Sequence, residues 1–341
     1  MPFRLHHPER LLGFVGIGLL VLLGIKLVGA IRGGGDEALV ERVQVPADSA
    51  ATAPAIPVHD SLLGRSGELR FRTLTRAEAL AIPGFVDRYG EGAIRRAAIH
   101  RVPLAGRDTV PFSYIVMRAF GEKRGDVLNG YRLGRWPSER WIMARNYWNP
   151  DGFVEVTEES ARLPLSRHFV LGEFLTRDGQ SQWPRYLVIE EMLIDKLELV
   201  LADLASRGVQ ATRVRVLSGF RSPMHNERVS GEGSARASRH QYGDAADLIV
   251  DSNGDGRMDD LNRDGRVDLA DTQVILRAVE RVEAAHPALV GGTGLYHAVG
   301  PSGPFAHIDV RGTSARWLDR QRGPAKAAAK ESVPAPAQPG R

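Results

Sequence analysis

The segment from Leu11 to Ile31 is almost wholly apolar, and it divides the chain into two parts that must fold in different surroundings. Lys26 is its only charged residue and lies near its far end, where a long side chain can reach the bilayer surface. A run of this length is typical of one membrane-spanning helix. Basic residues before it favour a cytoplasmic N-terminus over 1–10 and an extracytoplasmic remainder. The sequence therefore predicts a single-pass anchor in the cell membrane, with a cleaved signal peptide as the alternative.

The composition limits the chemistry that the rest of the chain can carry. The chain contains no cysteine, which excludes disulfides, a thiolate nucleophile and a cysteine-ligated zinc site. Any metal ion would therefore be held by histidine and carboxylate groups. The 45 basic and 41 acidic residues give a net charge of +4, and the basic residues are scattered along the chain. This pattern argues against nucleic acid as a partner. The sequence does not determine the oligomeric state.

Changes in composition predict the domain organisation. Residues 32–64 are rich in Gly, Ala and Pro, which is typical of a flexible linker. Short alternating segments over 65–158, such as "FSYIVMRAF", are cut by turns such as "LNGYRLGRWP" and predict a small β-rich domain. Longer elements over 159–320 predict the main domain, and the low-complexity stretch 321–341 is expected to be a disordered tail.

Four aromatic residues lie close together in the β-rich stretch. They could stack on a sugar ring, but aromatic side chains at this density are more typical of a core, and we assign them no function. They are Trp136, Trp141, Tyr147 and Trp148.

The main domain shows a helical and then a strand pattern. "YLVIEEMLIDKLELVLADLASRG" has apolar residues at helical spacing and ends in Gly208, which is typical of a core helix with a glycine C-cap. "TRVRVLSGFRS", "LVGGTGLYHAV" and "PFAHIDVRG" predict strands. The predicted fold class is α+β, with a central antiparallel sheet and flanking helices.

Two short segments carry residues suited to bind a metal ion. In "SRHQYGDAADL", His240 and Asp247 are separated by small residues, which allow a close approach of the backbone. In "FAHIDVRG", His307 and Asp309 are two apart on a predicted strand and would face the same cleft. Two imidazoles and a carboxylate would leave an open position on a catalytic zinc ion, and a second carboxylate could take a proton from a zinc-bound water.

Three strings in this order resemble the zinc D-Ala-D-Ala carboxypeptidase family and its murein endopeptidase relatives. These strings are "SGFRSPMHN", "SRHQYGDAADL" and "GPFAHIDVRG", and the resemblance covers about residues 160 to 318. It implies that His240, Asp247 and His307 are the zinc ligands. It further implies that Arg221 contacts the substrate and steadies a developing oxyanion, a role that suits the fork of a guanidinium group.

Other residues are candidates for supporting roles in this site. Ser218 and Ser238 could orient the ligands, or could simply cap turns. Many family members carry a Glu three residues before the last His as general base, whereas this chain has Pro304 there. Asp309 is therefore the candidate base or ligand-orienting carboxylate, with His297 and Glu173 as more distant possibilities.

An acidic insertion over 251–271 separates the second and third zinc candidates. Its spacing fits an EF-hand loop and resembles the calcium loops of dockerin modules. Two overlapping frames are possible, and the second is favoured because it closes on a carboxylate and is followed by a helical pattern. The first frame contains Asp251, Asn253, Asp255 and Asp259 and ends at Asn262. The second frame contains Asp260, Asn262, Asp264, Arg266, Asp268 and Asp271.

The resemblance implies a zinc-dependent peptidase that acts on peptidoglycan stem peptides or cross-links, as a D,D-carboxypeptidase or an endopeptidase. Zinc and calcium are the expected cofactors, and the membrane is an expected partner through the N-terminal helix. Two alternatives remain open at this stage. One is a catalytically silent murein-binding or scaffold protein, and the other is a calcium-dependent adhesion module.

Overall fold

The computed structural model describes residues 56, 58–104, 110–141, 143, 147–230, 235–297 and 300–319. The predicted anchor over 11–31 and the predicted tail over 321–341 lie outside the described residues. Within the described part of the chain, no helix is long and apolar enough to cross a bilayer.

Short strands run through the whole described chain. In chain order they are β1 Phe71–Leu74, β2 Ala98–Val102, β3 Phe112–Val116, β4 Arg118–Ala119, β5 Val127–Leu128, β6 Tyr131–Arg132, β7 Gly152–Val156, β8 Arg185–Leu187, β9 Val214–Ser218, β10 Ala245–Val250, β11 Gly292–Tyr296, β12 Phe305–Asp309 and β13 Ala315–Leu318.

The described α-helices are fewer, and two of them are long. They are α1 Arg76–Ala81, α2 Phe85–Tyr89, α3 Gly92–Arg95, α4 Glu191–Ser206, α5 Pro223–Ser230 and α6 Leu269–Ala285. Short 3-10 helices link several elements, and the one that concerns the site is Arg239–Tyr242.

A five-stranded sheet carries the main domain, in the order β13-β11-β12-β10-β9. Strands β9 to β12 pair antiparallel, and β13 is parallel to β11 at one edge. The described elements confirm a mixed α and β class. The three strands predicted from sequence are β9, β11 and β12 of this sheet.

Helices α4 and α6 cover this sheet and contribute to its core. In α4, the buried residues Leu193, Leu197, Leu201 and Leu204 recur at intervals of three and four, which places them on one face. Burying each such side chain contributes about 2 kcal/mol of hydrophobic free energy. The chain leaves the helix through Gly208, whose φ of 74° is the left-handed conformation predicted for a C-cap glycine.

The larger hydrophobic core extends across residues 158 and 159, where the sequence suggested a domain boundary. Strand β7 pairs with β4 on one side of this position and with β8 on the other. Phe71 and Phe153 from the first part pack in the same core cluster as Leu193 from the second part. A second, smaller cluster lies around β1 to β3 and helices α1 to α3.

The described end of the predicted linker over 32–64 is packed rather than free. Ile56 and Leu63 are buried in the smaller cluster. Just beyond it, the backbone N–H groups of Arg65 and Ser66 donate to the Asp195 carboxylate at 2.9 and 2.8 Å. Isolated apolar residues in a Pro-rich segment give no periodic signal, so this packing was not apparent from the sequence, and the bounds of the linker stay a prediction.

Candidate metal centre

Three ligand-type atoms converge on one point beside the five-stranded sheet. His240 Nε2 lies 3.2 Å from Asp247 Oδ1 and 3.1 Å from His307 Nδ1. His307 Nδ1 lies 2.8 Å from the same Asp247 oxygen. Among the described residues, this is the one group of three His, Asp or Glu side chains found close enough to share a metal ion.

The sheet register places two of the three side chains next to each other. Asp247 on β10 lies directly opposite His307 on β12, and directly opposed residues of antiparallel strands point to the same face. His240 comes from the 3-10 helix, which ends at Gly243 with φ 69°. A Cβ atom at Gly243 would overlap the backbone of Val188, so this turn needs glycine for its φ and for its close packing.

Each histidine directs its unprotonated nitrogen at the shared point. His240 Nδ1 lies 2.7 Å from the Gly219 carbonyl, which only accepts hydrogen bonds, so the ring proton is on Nδ1. His307 Nε2 lies 3.1 Å from Asp309 Oδ2 and donates its proton there. The remaining nitrogens, His240 Nε2 and His307 Nδ1, therefore present lone pairs beside the Asp247 carboxylate.

Burial, neighbouring charges and hydrogen bonds together set the pKa values of the three groups. Burial lowers the pKa of His240 to about 4 despite the nearby Asp247 charge, so this imidazole is neutral at pH 7. Burial alone would raise the pKa of Asp247, but His240 and Arg221 hold it well below its usual range. Burial opposes protonation of His307, yet its hydrogen bonds to Asp247 and Asp309 raise its pKa.

The donor set fits a zinc ion. Ligand atoms that surround zinc tetrahedrally at about 2.0–2.1 Å lie about 3.3 Å from one another, close to the three separations seen here. Two imidazole nitrogens and one carboxylate oxygen are common zinc ligands that leave a fourth position open. Metal-bound histidines usually donate their second N–H to a carbonyl or a carboxylate, as His240 and His307 do.

Asp309 is fully buried, and its oxygens already accept several hydrogen bonds. Oδ1 accepts from Gly292 N at 2.7 Å, and the Arg311 guanidinium bonds to both oxygens. Burial would raise the pKa of Asp309, but His307 and Arg311 hold it far below its usual range. Of the two roles that the sequence allowed, this environment favours orienting His307 over accepting a proton.

A buried hydrogen-bond network contacts the backbone of Asp309. Lys196 of α4 donates to the Asp309 carbonyl at 2.8 Å and to Glu283 of α6 at 2.7 Å. A Cβ atom at Gly292 would lie 2.5 Å from Asp309 Oδ2, so the carboxylate packs directly against the backbone of β11. The glycines of "GGTG" are a sequence signal for this close approach that composition alone did not reveal.

Arg221 lies at the edge of the ligand set. It pairs with the second oxygen of Asp247, and its Nε donates to Ser218 Oγ at 2.8 Å. Ser218 therefore positions Arg221 rather than a ligand directly. Ser238 directly precedes the 3-10 helix of His240, and its carbonyl accepts from Gln241 N at 3.2 Å.

The more distant candidates have other surroundings. Glu173 accepts from Val170 N at 2.9 Å, and burial raises its pKa while Arg213 opposes the rise. His297 follows β11 and is half-buried, outside the group of three ligands. Of the clustered aromatics, Trp136 is fully buried and donates to the Gln241 carbonyl at 2.9 Å, whereas Trp141 and Trp148 are exposed.

The acidic insertion forms two similar loops directly after β10. Asp251 accepts from Gly256 N at 3.1 Å, and Asp260 accepts from Gly265 N at 2.8 Å. The match reflects a nine-residue repeat, DSNGDGRMD followed by DLNRDGRVD, which is shorter than the twelve-residue EF-hand loop predicted from the sequence. Asp271 accepts from Leu261 N at 2.8 Å and belongs to the capping box of α6. Calcium binding by either loop stays a prediction.

The geometry defines a mixed α and β protein with a buried His–Asp–His centre, and comparisons with known proteins then indicate its class. Residues 178–274 match the model of the peptidase M15 family. This segment includes Arg221, His240 and Asp247, and the chain resembles the zinc-dependent peptidases of that family, as its motifs predicted.

A solved structure, described as the LdcB LD-carboxypeptidase and the basis of its peptidoglycan recognition, is also similar. The two chains share 14% identity, and the match covers 55% of this chain and 84% of that one, with a TM-score of 0.25. No curated protein matches.

Proposed function

We propose that this protein is a zinc-dependent peptidase that hydrolyses peptide bonds of peptidoglycan. One observation carries the proposal: two histidine lone pairs and a carboxylate oxygen meet within 3.2 Å, and the second N–H of each ring is held by a carbonyl or a carboxylate. The peptidase M15 match over 178–274 supports a metallopeptidase, since it includes two of these three residues.

His240, Asp247 and His307 would hold the metal ion. When bound, zinc supplies Lewis acidity toward a peptide carbonyl and lowers the pKa of water. Arg221 holds the second oxygen of Asp247, which fixes the carboxylate while leaving a permanent positive charge at the edge of the site. That charge suits a substrate carboxylate or a developing oxyanion.

Asp309 would act through His307. Its hydrogen bond fixes the ring tautomer and increases the basicity of the ligating nitrogen. Arg311 and Gly292 keep the carboxylate in place and ionised. In this proposal Asp309 is a positioning residue, and the proton acceptor is a group other than Asp309.

The finer assignment rests on the resemblance seen in the sequence. We propose the stem peptide or the cross-link of peptidoglycan as substrate, with D-Ala-D-Ala carboxypeptidase and endopeptidase as the two forms of the activity. The predicted anchor over 11–31 would keep the catalytic domain on the outer side of the cell membrane, where peptidoglycan lies.

Digestion of murein sacculi tests this function. The purified protein, stripped of metal and then given one equivalent of zinc, should release muropeptides that chromatography separates. His240→Ala should release none, whereas His59→Ala, which changes an exposed histidine, should match the parent protein. A folded, zinc-loaded protein that yields no zinc-dependent product would overturn the peptidase assignment.

A murein-binding protein without catalysis is the second candidate. The Asp309 carboxylate accepts hydrogen bonds from Arg311, and Pro304 stands where many members of the family that the sequence resembles have a glutamate. This candidate predicts that the protein sediments with sacculi but releases no product. Sedimentation together with zinc-dependent product release would exclude it.

A further inference from the structure

The metal centre has one closed end and one open end along the sheet. Asp309 lies two residues beyond His307 on β12 and is fully buried. Lys196 donates a hydrogen bond to its carbonyl, and Gly292 N donates one to its carboxylate. At the other end, Phe305 lies two residues before His307 and is half-buried. Along β12, the side of the site that carries Phe305 is therefore less buried than the side that carries Asp309.

Tyr296 stands at that open end, on the same face of the sheet as the ligands. It lies opposite Phe305, as Gly294 lies opposite His307, so Tyr296 and His307 project from the same face. Its ring stacks on Phe305 with the centroids 4.6 Å apart and the planes 1° from parallel. Gly294 has no side chain, and the Trp317 ring occupies the space above it, where a Cβ atom would overlap the ring.

Trp317 fixes the direction in which the Tyr296 hydroxyl can act. Its ring packs over Gly294 and against His307, with the ring centroids 5.2 Å apart. Its Nε1–H donates to the Tyr296 hydroxyl oxygen at 2.9 Å. Because an indole N–H only donates, the hydroxyl must direct its own proton to a different acceptor.

The hydroxyl keeps that proton at neutral pH. Burial raises the pKa of Tyr296, and Asp247 adds to the rise, while Trp317 and Arg221 oppose it. The strand register gives the location of this side chain: Tyr296 lies two residues beyond Gly294, which is opposite His307, and it shares the face of the sheet that carries this ligand. A neutral hydroxyl with one lone pair occupied by Trp317 is a prepared hydrogen-bond donor.

We propose that Tyr296 is a substrate-contacting residue that donates a hydrogen bond to the oxyanion formed at the scissile carbonyl, with Trp317 as the residue that positions it. This role rests on the proposed peptidase function. It assigns chemistry to two residues that the sequence motifs did not single out. It also explains why a tryptophan on the edge strand β13 reaches across Gly294 to the site.

Two substitutions separate the roles. Tyr296→Phe keeps the stacking on Phe305 and removes only the hydroxyl, so zinc content should stay at the parent level. Loss of one oxyanion donor should lower kcat by about 100-fold and change KM little. Trp317→Phe should produce a smaller loss in the same direction, and Tyr89→Phe, in the separate cluster around α2, is the matched control.

Calorimetric binding of a phosphinate analogue of D-Ala-D-Ala to the zinc-loaded protein provides a second measurement. Its tetrahedral oxygens resemble the oxyanion, so Tyr296→Phe should weaken binding by about 10-fold or more. A variant within twofold of the parent in both kcat and phosphinate affinity would overturn the proposal, as would loss of zinc on this substitution. Phosphinate binding without hydrolysis would count against the peptidase function alone and would still test Tyr296.

Discussion

The metal centre and the acidic loops both gather carboxylates, but they use them in opposite ways. In the metal centre, Asp247 is buried and shares its oxygens with His240, seven residues away, and with Arg221 and His307, which are 26 and 60 residues away. In the loops, Asp255 is exposed, and its Oδ1 accepts a backbone N–H from Arg257, two residues away. In the metal centre, the fold brings side chains together around Asp247. In the acidic loops, carboxylate oxygens such as Asp255 Oδ1 instead accept hydrogen bonds from the backbone of the same loop.

The largest effect is expected at the centre itself. His240→Ala removes one of three buried ligands, so bound zinc should fall from about one equivalent to near zero, and peptidase activity should fall by at least about 1,000-fold. Metal analysis after dialysis against zinc measures the first, and muropeptide release measures the second. His59→Ala should change neither, and a zinc-replete His240→Ala variant would contradict the assigned ligand set.

The buried hydrogen bonds of Lys196 next to the metal centre should contribute to the stability of the fold. Lys196→Met leaves Glu283 buried with one partner fewer and frees the Asp309 carbonyl, although Arg316 still pairs with Glu283. Removing one partner of a buried ion pair costs about 3 kcal/mol of unfolding free energy. Urea denaturation measures this loss. A change below about 0.5 kcal/mol would show that the network contributes little, because it would fall within the range of ordinary surface substitutions.

Asp309→Asn distinguishes the two roles of this carboxylate. If Asp309 orients His307, the substitution should weaken zinc binding by about 10- to 100-fold, and excess zinc should restore most of the activity. Competition with a chromogenic chelator measures the affinity. Normal zinc affinity together with a collapse of kcat would instead identify Asp309 as the general base.

The smallest effect is expected in the loops, where calcium binding remains a prediction from sequence. Asp251 is buried, and its Oδ1 has no hydrogen-bond partner within the described structure, so the first loop is the better place to look. Calcium at about ten times its Kd would stabilise the protein by about 1.4 kcal/mol. Thermal unfolding of the zinc-loaded protein with and without 1 mM calcium, about the Kd of weak extracellular sites, would show part of this shift.

The loop variants provide the controls for that measurement. Asp251→Asn should abolish the calcium-dependent shift, and Asp264→Asn in the second loop should leave at least part of it. An equal shift in the parent protein and in Asp251→Asn would exclude the first loop. A calcium response that disappears in His240→Ala would assign the ion to the metal centre instead.

The sequence by itself predicted the three residues that the fold brings together as candidate ligands, the strands that carry two of them and the long helix that ends at Gly208. These predictions rest on local information, since residue spacing sets which side chains share a face and glycine marks a helix end. The nine-residue repeat of the acidic insertion is local information as well, although its period differs from that of the twelve-residue EF-hand loop.

Only the tertiary structure decided how the ligands are supported. The environment of Asp309, the pairing of Arg221 with Asp247, and the contact of Trp317 with Tyr296 join residues that are distant in sequence or on separate strands. The sheet spanning the predicted domain boundary depends in the same way on the pairing of β7 with β8. Such contacts follow from strand register and long-range packing, and neither composition nor spacing specifies which buried partner a carboxylate or a hydroxyl will meet.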